Sequence, residues 1–460
     1  MSETTQLAQI EDVSAVVSVL TAAGLDADAS ASKAELLGTC ASALREAGHD
    51  GETQVRPFFL PGRIDVFGRH ADYPGGSTTL AATNRGFCYV AAPRDDRQVR
   101  LFAPRTGESI EIEYDGDVTL TAGHWANYPM TVVRRSARNF PGELRGMDLA
   151  FSSDLPGASG MSSSSVMVVG SWLCANAVNR FDRHEAYRRE ISSKTDLAGY
   201  LGCVENGQNF GTLVGDKGVG TFGGSEDHTA ILCCKAGVLS QYAYCPVRFE
   251  RDIVFPGRLV IAVGVSGVSA EKTGDAMAKF NKTALLTGVA TELWNAATGR
   301  DDPHLTAAIR SAPDAADRMR EILRTSDHAE YSPGDLIDRF DAFHHELVNV
   351  VPRGGDALAA GDLEAVGRIV DESMQVNEHK LKNQIPETLF LAQSARRIGA
   401  HSACSFGAGF GGSVYALVAE DDAPAFLERW RAEYRAAHSD SEANASFFAT
   451  RPGPCAMELL

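Results

Sequence analysis

Between residues 59 and 76 the chain reads FLPGRIDVFGRHADYPGG, which crowds Arg63, Asp65, Arg69, His70, Asp72 and Tyr73 between two glycine/proline turns, just after a short apolar run. Charged side chains held at so tightly punctuated a turn converge on something small and polar. The same residues would also serve a solvated surface loop, and the segment alone does not separate the two readings. A second stretch, DLPGASGMSSSSVMVVG at 154–170, runs from a strand through a Pro-Gly-Ala-Ser-Gly loop into an apolar helix whose first turn is Ser162-Ser163-Ser164-Ser165. Small residues let the backbone approach a ligand, and the free N–H groups at a helix N-terminus favour phosphate. Hydroxyls in that turn can bond phosphate oxygens or ligate Mg²⁺. Serine capping is the plainer alternative, but four consecutive serines exceed what a cap needs, so phosphate binding is preferred.

A third glycine-rich stretch, SFGAGFGGSVYALV at 405–418, precedes a strand near the end of the chain. A dinucleotide fingerprint opens a helix instead, so that reading is set aside. No Walker A loop occurs.

The elements that must position these residues follow from periodicity. Residues 9–48 read as helices: Val13, Val16, Val17 and Leu20 recur at helical spacing, ADASAS (27–32) breaks the pattern, and 34–47 resumes it. Short β-rich runs follow between 58 and 114, then a helix over 125–138 and a strand over 147–151. The serine turn opens a helix over 162–177, a second helix spans 184–205, and 229–244 returns to strands. The run RLVIAVGVS (258–266) is a strand, helices dominate 275–397 with a loop-rich interruption over 311–335, and the glycine turn 406–412 feeds a strand over 413–419. On a helix His344 and His345 point apart, so His344-His345-Glu346 reads as surface rather than metal site. The pattern is α+β, two intimately joined lobes divided near residue 250, behind an N-terminal helical extension.

With 460 residues, 44% hydrophobic and 22% charged, the chain can bury full cores in two or three domains. A net charge of -17 argues against a nucleic-acid or anionic-membrane partner. Any phosphate site must therefore be local. The nine cysteines form no CxxC pair and read as buried thiols of a reducing compartment. The N-terminus has no signal-peptide pattern and no apolar run is long enough to span a bilayer, so the expectation is a cytoplasmic protein.

Three ordered motifs resemble those of the GHMP kinase superfamily, and most closely its galactokinase branch. PGRIDVFGRHADYPGG (61–76) is similar to PGRxNLIGEHTDYNGG, PGASGMSSSSV (156–166) to PxGAGLSSSA, and SFGAGFGGSVYALV (405–418) to TGxGFGGxxVALV. Between them GHWANYPMTVV (123–133), CVENG (203–207) and GGSEDHTAIL (223–232) resemble further family segments, so that the likeness covers roughly residues 55–460. It implies the two-lobed GHMP kinase fold, an N-terminal lobe of ribosomal-protein type over 55–250 and an α/β C-terminal lobe over 251–460, with residues 1–54 as the extension. It further implies phosphoryl transfer from ATP and Mg²⁺ to the anomeric hydroxyl of galactose or a related sugar; the sequence does not name the oligomeric state, for which a monomer is the expectation.

Residue by residue, the resemblance places Asp227 at the catalytic aspartate and Arg63 at the catalytic arginine. His70 and Asp72 fall on sugar ligands, with Arg69, Asp65 and Gly75 beside them. Pro156, Gly157, Ala158, Ser159, Gly160, Met161, Ser162, Ser163 and Ser164 would wrap the triphosphate, with Gly407, Gly409 and Gly411 packed alongside. Ser164 and Glu205 would hold Mg²⁺. The chemistry is coherent: a carboxylate can orient a sugar hydroxyl and accept its proton, and a neighbouring cation stabilises the transferring phosphoryl group.

The chain also departs from the family. Arg69 stands where the motif has a sugar-binding glutamate, which reverses charge and leaves only hydrogen-bond donors. A guanidinium there would suit the acid of a uronic sugar, or else would turn outward or pair with Asp65 or Asp72. Ala71, Asp65 and Pro74 are further replacements in the motif. The glycine-rich insertion NFGTLVGDKGVGTF (209–222) suggests a mobile lid or specificity loop, and Ala403 and Ser405 replace an arginine and a threonine. Rival readings are a uronic-acid or pentose kinase, a non-catalytic sugar sensor, and a kinase acting on mevalonate, homoserine or a heptose.

Overall fold

Two β-sheets organise the chain in a computed structural model that describes residues 5–121, 123–157, 159–269 and 274–459. The larger sheet takes nine strands: β1 (Thr5–Gln6), β2 (Gln54–Phe67), β3 (Ser77–Pro93), β4 (Gln98–Ala103), β5 (Glu108–Glu113), β6 (Met147–Ser153), β7 (Val238–Ala243), β8 (Arg248–Val254) and, from the far end of the chain, β13 (Met457–Glu458). The smaller sheet is antiparallel, in the order β10-β11-β9-β12, with β9 Leu259–Val265, β10 Ser402–Phe406, β11 Ser413–Ala419 and β12 Ser446–Thr450. β9 is buried along its whole length, as a continuous apolar run flanked by two strands should be. β3 is long enough to serve two partners on one edge, β7 through Ser77–Leu80 and β6 through Phe87–Pro93.

Helix Ser163–Asn179 lays Val166, Val169 and Trp172 against the aromatic residues of the larger sheet. The opposite face is covered by the N-terminal helices Leu7–Ile10, Val13–Ala22 and Ala27–Glu46, whose Leu37, Cys40 and Leu44 meet Phe59, Cys88 and Val90. The smaller sheet carries its own core around Val263, Tyr415 and Trp430. A separate cluster, centred on Trp294 and Phe340, joins helices Gly274–Thr298, Ala315–Arg324 and Pro333–His345.

Several local expectations are corrected. The first half of the opening motif is strand rather than turn: residues 61–67 continue β2, with a register shift between Pro61 and Arg63, and only 68–76 turn. ADASAS is helical, because Asp26 accepts from Ala29 N and starts the helix at Ala27. The helix expected over 184–205 is two, Glu185–Glu190 and Lys194–Asn206, the second capped by Ser193. Residues 226–233 form a helix, not a strand, and helix Ala315–Arg324 lies inside the expected loop 311–335. Glu346 is not at the surface: its carboxylate is buried and accepts from Gly68 N at 3.0 Å.

Candidate active site

Extended backbone puts residues i and i+2 on one face of a strand, so β2 sends Arg63 and Asp65 to one side and Ile64 and Val66 into the apolar core on the other. Arg63 Nε donates to Asp227 Oδ1 at 2.7 Å, and its Nη1 donates to Gly160 O at 2.7 Å. Asp65 Oδ1 lies 3.3 Å from Arg63 Nη1 and accepts from Gly407 N at 2.8 Å. One arginine thus ties the catalytic candidate Asp227 to the serine loop, and its carboxylate neighbour ties the glycine loop to the same strand. Burial opposes the Arg63 charge, but Asp227, Asp65 and Glu226 outweigh it and hold the guanidinium protonated beyond its ordinary range.

Asp227 stands in the first turn of helix Glu226–Cys233. Asp72 Oδ2 accepts from Glu226 N at 3.0 Å, a carboxylate at the positive end of that helix. A side chain at Gly224 would place its Cβ 2.3 Å from the same Asp72 oxygen, so only glycine lets the two segments meet. Ser165 Oγ donates to Glu205 Oε2 at 2.8 Å and lies 3.2 Å from Asp227 Oδ2. His228 Nε2 is 3.0 Å from Glu205 Oε2, at an angle that makes no hydrogen bond.

Two cavities meet at this cluster. The larger, about 1260 Å³, is lined by Trp125, Tyr128, Ser159, Gly160, Ser162, Ser163, Ser164 and Lys217 among others. The narrower one is lined by Asp65, His70, Asp72, Tyr73, Ser165, Glu205, Glu226, His228, Phe280 and Gly407 among others. Arg63, Thr221, Asp227 and Ala408 belong to both walls. The narrower cavity presents five carboxyl side chains and one guanidinium.

Most of the predicted residues converge here. Asp65, His70 and Asp72 line the narrower cavity, and Ser159, Gly160, Ser162, Ser163 and Ser164 the larger. Ser162 is left-handed (φ 66°), and among the described residues its buried hydroxyl has no hydrogen-bond partner, which leaves it available to a ligand oxygen. His70 commits both ring nitrogens to the protein, Nδ1 with Tyr73 Oη at 2.9 Å and Nε2 with Ala408 O at 3.0 Å. It braces the wall more than it offers a free group.

Arg69 is the main correction. It is 3% exposed and lines neither cavity; Nε donates to Ser405 O, Nη1 to Ser373 Oγ at 3.0 Å, and Asp65 lies 4.0 Å away. A charge so enclosed binds the two lobes together instead of facing a substrate. The acid-rich cavity, moreover, would repel the uronic carboxylate that a guanidinium at this position would suit. Gly75 packs against His304, Gly409 against Asn383 and Gly411 against Val268 and Ser269, so all three shape turns away from the cavities. Met161 is fully buried in the core, Pro156 and Gly157 line neither cavity, and Ala158 lies outside the described residues. The serine bonded to Glu205 is Ser165, one residue beyond the expected Ser164.

The insertion is tied down rather than loose: Asp216 pairs with Arg134 at 2.7 Å, and Val219 N donates to Glu205 O at 2.8 Å. Its residues 216–221 wall the larger cavity. Sequence reasoning missed Glu226, His228 and Phe280, and reached Thr221 and Ala408 only as parts of loops. The aromatic pair Trp125 and Tyr128 was legible as a motif, though not as cavity lining.

Comparison with known proteins agrees with this geometry. Residues 356–436 match the model of the GHMP kinases C-terminal domain. A galactokinase of Chloroflexus aggregans is 26% identical over 392 residues, covering 84% of this chain and 89% of the relative. A galactokinase of Haemophilus influenzae is 24% identical over 79% of this chain and 85% of its own length. The crystal structure of Lactococcus lactis galactokinase complexed with galactose superimposes with a TM-score of 0.74 at 24% identity, covering 91% of this chain and 99% of that one. The mevalonate kinase of Methanococcus jannaschii does so at 0.53 and 13% identity, covering 88% and 99%. The fold is that of the GHMP kinases. Within that class, the chain is similar along most of its length to galactokinases.

Proposed function

We propose that this protein is a sugar kinase that transfers the terminal phosphoryl group of ATP to the anomeric hydroxyl of galactose or a closely related neutral sugar. The observation that carries the reading is the shared wall: a nucleotide-sized cavity and a narrower polar one meet at Arg63 and Asp227. A sugar in the narrower cavity would present a hydroxyl to Asp227, which orients it and accepts its proton as the oxygen attacks phosphorus. Arg63, fixed between Asp227 and Gly160 O, offers positive charge where the transferring group would pass. Ser159 to Ser164 would cradle the phosphates, with Trp125 and Tyr128 available to the base.

Mg²⁺ fits the residues present. Glu205 is buried, its carboxylate faces the serine turn, and carboxylate plus hydroxyl oxygens suit a hard cation that also takes phosphate oxygens and water. Bound there, the ion would neutralise charge on the phosphates. Glu205 with Ser164 or Ser165 would hold it. The same reading divides the chain into an extension (1–54) and lobes over 55–250 and 251–460. It describes a cytoplasmic monomer that engages sugar and ATP, and neither nucleic acid nor membrane. No helix among the described residues is long and apolar enough to cross a bilayer.

An ATP-coupled assay across neutral hexoses, pentoses and uronic acids tests the reading. Galactose or a close neutral relative should be phosphorylated and uronic acids should not; turnover confined to uronic acids would overturn it. Asp227→Asn should lose about 10²–10⁴ in kcat, and near-full activity of that variant would exclude Asp227 as the base.

A further inference from the structure

Glu226, the first residue of the helix that carries Asp227, faces the narrower cavity and has no evident structural task. The residue is 7% exposed, yet its side chain lines that cavity. Its backbone N–H is used by Asp72. The nearest cation, Arg63 Nε, is 3.7 Å from Glu226 Oε1, beyond hydrogen-bond reach, and among the described residues the carboxyl makes no hydrogen bond. Burying a carboxyl that has an ion-pair neighbour but no hydrogen-bond partner costs several kcal/mol, roughly the net stability of many domains. The first turn of a helix does not require it, because Asp72 already satisfies the free N–H. An apolar residue would fill the position at lower cost, unless the carboxyl finds its partner in what enters the cavity.

From this geometry we infer that Glu226 is a substrate ligand: its carboxyl hydrogen-bonds a hydroxyl of the bound sugar and helps to select neutral sugars over acidic ones. The inference rests on the sugar-kinase reading and adds to it a specificity-determining residue. The surroundings are consistent with this role. Asp65 on β2, Asp72 and Tyr73 in the turn after it, Asp227 on its own helix and Tyr244 after β7 surround Glu226, with Arg63 as the one guanidinium paired with it among the described residues. Burial, then Asp65 and Asp72, push the Glu226 carboxyl well above the ordinary carboxylate range. A carboxyl that keeps its proton can donate to one lone pair of a hydroxyl and accept from another, as a neutral polyol requires. A sugar carboxylate would meet the remaining anions without a free cation.

The test uses the full-length chain, with galactose binding followed by calorimetry and turnover followed in parallel. Glu226→Leu removes the carboxyl, and Glu226→Asp keeps the carboxyl but withdraws it by about 1.5 Å. Both should weaken galactose binding and raise its KM by about tenfold or more, the loss of one strong hydrogen bond, with the KM for ATP within about threefold of wild type. If Glu226→Leu does not fold, Glu226→Asp decides alone. If wild type binds and phosphorylates galactose while the folded variants bind it within twofold of wild type, the inference falls and the kinase reading stands. If wild type neither binds nor phosphorylates any neutral sugar, the kinase reading fails first and takes the inference with it.

Discussion

Arg69 and Glu226 show how far a single position can mislead when it is read by charge alone. In the sequence Arg69 stands in the middle of a sugar-binding motif, and its guanidinium suggests an acidic substrate. In the fold its side chain has turned into the seam between the lobes, where Ser405 O and Ser373 Oγ accept from it and Ser373 in turn bonds Glu346. Glu226 sits in a stretch that local spacing marks only as a turn after Gly223-Gly224, yet it reaches the cavity. Arg69→Met should therefore destabilise the protein by about 3–5 kcal/mol, since it leaves buried acceptors and the Glu346 carboxylate uncompensated. In chemical denaturation the midpoint should fall, while the galactose KM of the remaining folded enzyme changes less than threefold. A large rise in KM with unchanged stability would return Arg69 to the sugar site. What made Arg63, Asp72 and Asp227 legible was their place in ordered motifs. What hid the other two was side-chain direction, which depends on contacts with residues more than a hundred positions away.

At the scale of elements, the serine and glycine loops behave as one piece. Ser413 Oγ donates to Ser159 O at 2.6 Å, Gly407 N is held by Asp65, and Gly160 O receives Arg63. Gly407 has φ +78°, and a Cβ there would lie 2.6 Å from Gly160 O. Gly407→Ala must therefore both strain its own backbone, at about 1–3 kcal/mol, and push the serine loop aside. Steady-state kinetics should show the KM for ATP rising about tenfold or more, with a smaller effect on the KM for sugar. Equal effects on both substrates, or none, would show that the two loops are positioned independently. Periodicity was sufficient for the serine helix and for β9 and β11 in outline, since their apolar patterns are long; β10 escaped it. It failed at Thr229–Cys233, where β-branched and apolar residues resemble a strand, because the cap that makes the segment helical is Asp72, supplied from far upstream.

At the scale of the molecule, the N-terminal helices are part of the core. Leu7, Ile10, Leu20, Leu37 and Leu44 are almost completely buried, and each such side chain contributes about 1.5–3 kcal/mol. Lys33, fully buried, pairs with Asp154 at the entrance to the serine loop, and His49 Nε2 lies 2.7 Å from Asp148 Oδ2. Removing residues 1–50 would uncover Phe59, Cys88, Val90 and Ala150 and leave Asp154 without its lysine. The truncated chain should be insoluble or should melt without a sharp transition, and should lack kinase activity. A soluble truncated form with a wild-type melting curve would show the extension to be dispensable. The extension was legible as helices, but its task was not, because the apolar face it covers comes from β2, β3 and β6.

The groups that meet at the shared cavity wall come from residues 63, 221, 227 and 408, and the strand that follows the last of them, β11, ends at Ala419. A ribosome must therefore release the chain past residue 408 before the groups proposed to hold phosphate, take the proton and bind the sugar can stand together. A nascent or truncated copy could display most of the larger sheet and still be unable to spend nucleotide on water or on a stray hydroxyl. Catalytic competence in this architecture arrives late and all at once.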